Sequence, residues 1–536
     1  MLRFRGRRKA MGAYGRLLEK RFRKHNRRVW LPGASSRPDI VLVEVNSMRS
    51  SHIAYSYLAN VLASIGDGGS IVAIRPDASW LGAARLSLSN ALGQLWWLPN
   101  GAEGRMYQSF GATGVAGPSL WSKVRFALPA IALVHNWYRG ERTKEDVERL
   151  TIEGVRVGDL LYDSFLRSRS VPTLDPSSLT FKLFLVNELA HFYFWKAYLN
   201  RRPVIGIIVS HAVYTLALPL RIAAAKGLQA FQATATSVHR ITPSRLMAYD
   251  EFKDFPKTFE SLPAEIRIGG VLEAQSRLER RFRGEVGVDM HYSSASAYTS
   301  SSLPPLLAES EKLKILVATH CFFDSPHSYG FNAFPDFWEW LHFVGRFSEQ
   351  VDHEFYLKTH PDYLPGNMDV LQHFLRAYPK FQLLPSDASH HQLIREGISV
   401  ALTVYGTIGL EYAALGIPVV NASLNNPHVA YDFNYHAGDP EQFLALLDRL
   451  GELRGPEGVS KSQVLEYYFM KHIHPNPNLF FKDWERTLTQ LGGYREQFAP
   501  KIFGAFLDEW DEERHRELTA NLRSFVLSER FVLDGA

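Results

Sequence analysis

VALTVYGTIGLEYAALGIPVV, residues 400–420, is the stretch on which the fold turns. VALTVY is an apolar run that ends at a glycine, GTIGLEYAALG has helical spacing, and IPVV returns to strand composition. Strand, tight turn, helix and strand make a β-α-β unit, the building block of a parallel sheet. Gly406-Thr407 falls at the turn, where the first N–H groups of a helix lack partners within it and favour an anion. Thr407 is placed to cap the helix or offer a hydroxyl, and the missing side chains of Gly406 and Gly409 permit close approach of a phosphate. Glu411 lies one turn further on, where a carboxylate can accept two hydrogen bonds from a ribose diol.

The same alternation extends upstream. KILVATH (314–320), EFYLKTHP (354–361) and FQLLP (381–385) read as strands, separated by the helical FPDFWEWLHFVGRFSEQ and followed by HHQLIREG. In the first half IVLVEV (40–45), SIVAI (70–74), VIGIIVS (204–210) and QAFQATAT (229–236) alternate with HIAYSYLANVLASIG and TLALPLRIAAAKG. SSASAYTSSSLPP (293–305) is the most polar run and parts the two blocks. The expected organisation is a basic arm over 1–30 and an α/β domain over 31–292 with a helical insertion near 105–200. A linker over 293–305 leads to a second α/β domain over 306–483, and helices over 484–536 pack back on the first domain. Ligands of open α/β sheets bind beyond the carboxyl ends of the strands, so two such domains predict a site in the cleft between them.

With 46% hydrophobic and 21% charged residues over 536 positions, the chain has the composition of a globular protein of several domains. Its single cysteine, Cys321, excludes an internal disulfide and fits a reducing, cytoplasmic compartment. The first 28 residues hold twelve Lys/Arg and one acid, Glu19, so at a whole-chain charge of +5 the remainder is net acidic. That arm, with Leu2, Phe4, Met11, Leu17, Leu18 and Phe22 interspersed, suits a helix lying on an anionic membrane surface. No apolar run approaches the roughly eighteen residues a span requires; FALPAIALV, 126–134, is too short. Outside the arm nothing has the aromatic and basic interleaving of a nucleic-acid binder.

Five further stretches carry candidate chemistry. YLKTHPDY puts Lys358 and His360 on one strand face, with Pro361 fixing the chain's exit where a donor phosphate would lie. ATHCFFDSPHSYG offers His320, Asp324, Ser325, His327 and Tyr329 after a strand; its two histidines lack a third metal ligand at usual spacing. SHAVY sets His211 and Tyr214 directly after the strand VIGIIV. VGDLLYDSFLR and VNSMRSSH add Asp159, Asp163, Arg167, Asn46, Arg49 and His52 as acceptor-side candidates, while HIHPNP and His390-His391 read as structural.

The order of LVATHCFFDSPHSYG, FWEWL, YLKTHP, LLPSD and VYGTIGLEYAALGIPVV resembles that of bacterial capsule and surface polysaccharide biosynthesis glycosyltransferases of GT-B architecture, over about 155–425 and most strongly over 314–422. GVRVGDLLYDSFLR and IVSHAVYTLALPLRIAAAKGLQAF look like the acceptor-domain segments of those enzymes. The His-Pro element is similar to that of sialyl- and Kdo-transferases, where it contacts the donor phosphate. The Glu411-to-Gly416 spacing is similar to the ribose-binding helix of GT-B transferases and nucleotide-sugar 2-epimerases. The resemblance implies two Rossmann-like doubly wound domains facing a cleft, and transfer of a sugar from a nucleotide donor, CMP-linked donors among them, to a surface glycan or lipid-linked acceptor. It assigns Lys358, His360, Gly406, Thr407, Glu411, His320 and Ser325 to the donor, with Asp324 and its loop bordering the sugar, and implies no bound metal or tightly held cofactor. No Asp-Asp-Gly or Asp-Glu-Gly element of the sialyltransferase kind is present, so the general base stays open among His211, Asp324 and Asp159, with His211 first by position. Two other readings compete: a nucleotide-sugar 2-epimerase, and a non-catalytic, membrane-peripheral scaffold of glycan assembly.

Overall fold

The computed structural model describes residues 2–30, 39–65, 69–75, 102–289, 296–298, 304–359 and 365–535. Apolar runs become strands where expected. The first half contributes β1 (Asp39–Glu44), β2 (Gly69–Ile74), β3 (Ala112–Ala116), a small hairpin of β4 (Thr151–Ile152) and β5 (Val155–Arg156), β6 (Val204–Val209), β7 (Gln229–Ala233) and β8 (Val238–Arg240). The second half contributes β9 (Lys314–Ala318), β10 (Glu354–Lys358), β11 (Phe381–Leu383), β12 (Ile398–Thr403), β13 (Val419–Asn421) and β14 (Tyr435–His436). The chain ends in β15 (Val532–Leu533).

The second sheet runs β11-β10-β9-β12-β13-β14, all parallel, which is the 3-2-1-4-5-6 order of a doubly wound nucleotide-binding sheet. Its strand order reverses between β9 and β12. The first sheet runs β15-β8-β7-β6-β1-β2-β3, with a parallel centre and two antiparallel strands at one edge, and reverses between β1 and β6. The molecule is thus α/β throughout, built of two Rossmann-like doubly wound units.

Both sheets are covered on both faces, which is why their strands are continuously apolar. Along β1, Val41 and Val43 enter one core with Tyr55 and Leu58, while Leu42 enters another with Leu161, Leu189 and Trp195. In the second sheet Ile315, Val317 and Leu402 face Trp340 and Phe374, whereas Leu316 and Ala401 face Ile408 and Tyr412.

The basic arm is the helix Leu2–Trp30, and its C-terminal half is not a free amphipathic surface. Leu18 and Phe22 are buried, and Phe22 stacks on Phe503 at 4.4 Å, because the C-terminal helices supply the apolar partner a membrane would otherwise provide. Those helices, Trp484–Leu491, Lys501–Glu509 and Glu512–Leu527, close one face of the first sheet, and β15 extends it by pairing with β8. Phe252, Phe255, Ala274 and Leu278, which the sequence places in the first domain, join Leu410, Ala413 and Tyr467 in a core beside the second sheet.

Candidate functional site

The two reversal points bring their strand ends to one cleft. At the first, β1 ends in Glu44 and β6 runs into Ser210 and His211. The backbone N–H and the hydroxyl of Ser210 each donate to Glu44 Oε2 at 2.7 Å. Tyr55 donates to the same oxygen at 3.0 Å and Asn46 Nδ2 at 3.4 Å. Ser210 Oγ also lies 2.8 Å from His211 Nδ1. A hydroxyl has one proton; with that proton on Glu44, Ser210 must accept from His211 Nδ1–H. The imidazole is then held as the tautomer whose Nε2 lone pair is free, on an exposed ring.

At the second reversal point His320 follows β9 and Tyr405-Gly406 follow β12. His320 stacks on Phe337 at 4.4 Å, and its Nε2 lies 3.0 Å from Thr403 Oγ1, which in turn accepts from Gly406 N–H at 3.1 Å. A Cβ on Gly406 would sit 2.8 Å from Thr403 Oγ1, so this turn has room only for glycine. Thr407 is exposed and its hydroxyl makes no cap, leaving it turned to solvent at the start of a short helix, Ile408–Ala414. Gly409 serves packing instead of phosphate approach: a Cβ there would meet His428 Nε2 at 2.4 Å.

Beside the first point lies a cavity of about 370 Å³ lined by His211, Tyr214, Tyr249 and Arg167 from the first domain and Asp324 and Ser325 from the second, while His320, Lys358, Gly406, Thr407 and Glu411 do not line it. Tyr214 donates to Asp324 Oδ1 at 2.5 Å, and Arg167 Nη1 stands 3.7 Å from the same oxygen. Tyr214 and Ser325 adopt positive φ, 59° and 37°, a region non-glycine residues avoid and one that concentrates at functional sites. Tyr405 donates to Ser325 O at 3.1 Å from below.

Glu411 is buried and already engaged. Arg281 pairs with Oε1, and Tyr298 donates to Oε2 at 2.8 Å. Tyr298 in turn lies against His390, 5.5 Å between rings, and the charge of Lys358 helps depress the His390 pKa after burial, so Lys358 and Glu411 border one polar cluster. Burial lowers the Lys358 pKa from 10.5 to about 8, with Asp387 opposing the shift. Its ammonium donates to Ser386 O at 3.1 Å. His360 and Pro361 lie outside the described residues.

Asp159 is moved out of contention as a base. It is buried against Arg221, at 2.9 Å, and Arg156, at 2.9 Å. Burial would raise its pKa, but the two guanidinium groups outweigh that and hold it at about 2, which leaves an ion-pair partner without basicity. Asp163 likewise belongs to a bridge between the domains: His327 Nδ1 lies 2.6 Å from Asp163 and Nε2 3.0 Å from Glu148. Burial alone would lower the His327 pKa, yet the two carboxylates raise it to about 10. Tyr162 and Thr173 donate to Asp336 at 2.5 and 2.6 Å nearby, so the domains are joined by polar contacts around the cavity. Of the remaining acceptor-side candidates, Arg49 pairs with Glu19 at 3.3 Å and His52 is buried with Nε2 3.1 Å from Asn46 O.

The residues that the sequence reading missed are Glu44, Ser210, Arg281 and Tyr298. Glu44 had a signal, an acid closing the apolar run IVLVE; the others become visible only through contacts distant in sequence.

The fold and cleft define a two-domain α/β protein with its candidate site at the paired reversal points. No family model and no curated protein matches the chain. Among solved structures, it is similar to the Thermosulfurimonas dismutans KpsC, a beta Kdo 2,4 transferase, with 12% identity, a TM-score of 0.32, and 50% of this chain and 79% of that one covered. The UDP-GlcNAc 2-epimerase from Neisseria meningitidis bound to UDP-GlcNAc matches with 10% identity, a TM-score of 0.23, and coverage of 82% and 95%. A glycosyltransferase from Rickettsia africae matches with 7% identity, a TM-score of 0.22, and coverage of 92% and 100%. With values this low, no residue role is carried over from these proteins.

Proposed function

We propose that the protein transfers a sugar from a nucleotide-sugar donor to a hydroxyl of a glycan or glycolipid acceptor. The observation that supports this best is the chain Glu44–Ser210–His211, which ends in an exposed imidazole on a cavity shared with Asp324 and Ser325. In an inverting transfer His211 Nε2 takes the acceptor proton as its oxygen bonds to the anomeric carbon, and the sugar–phosphate bond breaks with both electrons leaving on the nucleotide. The departing charge would be met by the Gly406-Thr407 turn, Lys358 and His360, with His320 behind the turn, so that preorganised donors do the work. Glu411 would take the ribose by sharing the oxygens now held by Arg281 and Tyr298, since each carboxylate oxygen has a second lone pair.

The experiment is a matrix of CMP-, UDP-, GDP- and CDP-sugars with and without glycan acceptors, following nucleotide release and product. Nucleotide release that needs both an acceptor and His211 supports transfer. Conversion of a donor to its 2-epimer without acceptor would make the protein an epimerase. Partner association that survives His211→Ala, with no turnover of any donor, would make it a scaffold.

A further inference from the structure

The helix Leu120–Trp137, LWSKVRFALPAIALVHNW, contains the apolar run that is too short to cross a membrane. Its inner face is accounted for, with Ala130 and Val134 buried in the first domain's core and Phe126 and Trp137 packed beside them. Its outer face is apolar as well: Trp121 is 83% exposed, Val124 56%, Leu128 73% and Ile131 50%, at the three- and four-residue spacing of one helical stripe. A helix apolar all round is ordinarily buried on every side.

The neighbouring helix Leu179–Arg201 runs antiparallel to it, Phe126 lying against Phe194 and Lys182 over the Tyr138 ring. It carries the patch onward with Leu179, 70% exposed, and Leu183, 48% exposed. Exposed apolar side chains thus recur on two adjacent helices, and scattered exposed leucines do not form such runs.

The charges bordering the patch identify the occupant. The two helices hold Lys123, Arg125, Lys182, Lys196 and Arg201 against one carboxylate, Glu188, which is buried and accepts from Asn187 at 2.8 Å; Lys196 is paired with Glu153 between β4 and β5, so Arg125, Lys182 and Arg201 carry the argument. Aromatic rings sit among these cations: Arg125 lies over Phe126 and Lys182 over Tyr138. Apolar side chains flanked by cations and amphipathic rings, with no exposed acid on either helix, match a surface that is greasy within and negative at its rim. We propose that this helix pair seats the protein on an anionic phospholipid bilayer, lying in the plane of the interface. No helix of the described residues is long and apolar enough to cross a membrane, so the contact is peripheral. It also moves the expected membrane contact away from the N-terminal arm, whose Leu18 and Phe22 are spent on the protein's own core.

The test is co-sedimentation of the full chain with vesicles of phosphatidylethanolamine and phosphatidylglycerol, and with phosphatidylcholine alone as the neutral reference. The proposal expects binding to the anionic vesicles, weakened by salt, and a loss of about tenfold or more in Trp121→Glu/Leu128→Glu at unchanged melting temperature. The milder Arg125→Ser/Arg201→Ser should lower binding to anionic vesicles only, which keeps the test valid if the first variant misfolds. Unaltered partition of both variants would overturn the proposal, as would loss only on neutralising Arg21 and Arg23 in the arm. A concentration-dependent dimer that the same substitutions dissolve, with no vesicle binding by the native chain, would assign the patch to a second copy and equally overturn it. None of these readouts depends on sugar transfer.

Discussion

The two reversal points are built from the same topology but hold their polar groups differently. In the first domain the outermost group, His211, is exposed and everything behind it, Ser210 and Glu44, is fixed by short hydrogen bonds. In the second, the most distinctive group, Glu411, is buried with one partner on each oxygen, Arg281 and Tyr298. A side chain set up in this way is ready to exchange a proton, whereas a satisfied carboxylate holds a shape and admits a ligand only by sharing its partners. On the proposed function, the contrast gives proton chemistry to the first domain and recognition to the second.

The sharpest way to break the contrast is His211→Ala. Loss of a general base should lower turnover by about 10²–10⁴-fold while donor affinity, measured by calorimetry, stays near that of the native protein. If affinity falls as steeply as turnover, His211 is a binding group and the division of labour fails.

The polar bridge that holds the two halves together should matter next. His327→Ala strands Asp163 and Glu148 as buried carboxylates and should destabilise by about 3–5 kcal/mol in a denaturant titration. The pH dependence has a definite sign. With a folded-state pKa raised from 6.5 to about 10, the stabilisation by His327 is complete below 6.5 and is lost as pH rises through 10, so native stability should decline across that window and the variant's should decline less.

Gly409→Ala tests whether the glycine serves packing or ligand approach. A Cβ pressed on His428 should cost about 1–3 kcal/mol of stability in the absence of ligand. No change in stability with weakened nucleotide binding would restore the phosphate role that the sequence suggested.

A further effect concerns Lys358. Burial has lowered its folded pKa below the unfolded value, so ligand-free stability should rise between about 8 and 10.5 as the unfolded chain alone keeps the proton. A phosphate bound there prefers the ammonium, so donor affinity should fall as pH rises through about 8, by up to about tenfold per unit, and Lys358→Met should flatten that slope.

Local pattern made the scaffold readable. VIGIIV is a strand from Val204 to Val209 because a doubly covered parallel strand needs no polar alternation, and His211 was visible because it follows directly. Glu411 was visible as an acid in an apolar helix, but its partners were not: Tyr298 and Arg281 lie 113 and 130 residues away in sequence. Asp159 misled for the same reason, since Arg221, 62 residues on, neutralises it. The arm was legible only in part. Basic residues interspersed with Leu18 and Phe22 have one pattern whether the apolar side meets lipid or protein, and at Phe22 the partner is protein, Phe503 and Phe506.

The central claim is that the cleft between the reversal points receives a nucleotide sugar. Isothermal titration of the full chain with CMP-, UDP-, GDP- and CDP-sugars tests it most directly. The account predicts saturable binding of one nucleotide class, weakened by Lys358→Met and retained in His211→Ala. Absence of binding for every donor, or binding indifferent to Lys358→Met and abolished by His211→Ala, would contradict it.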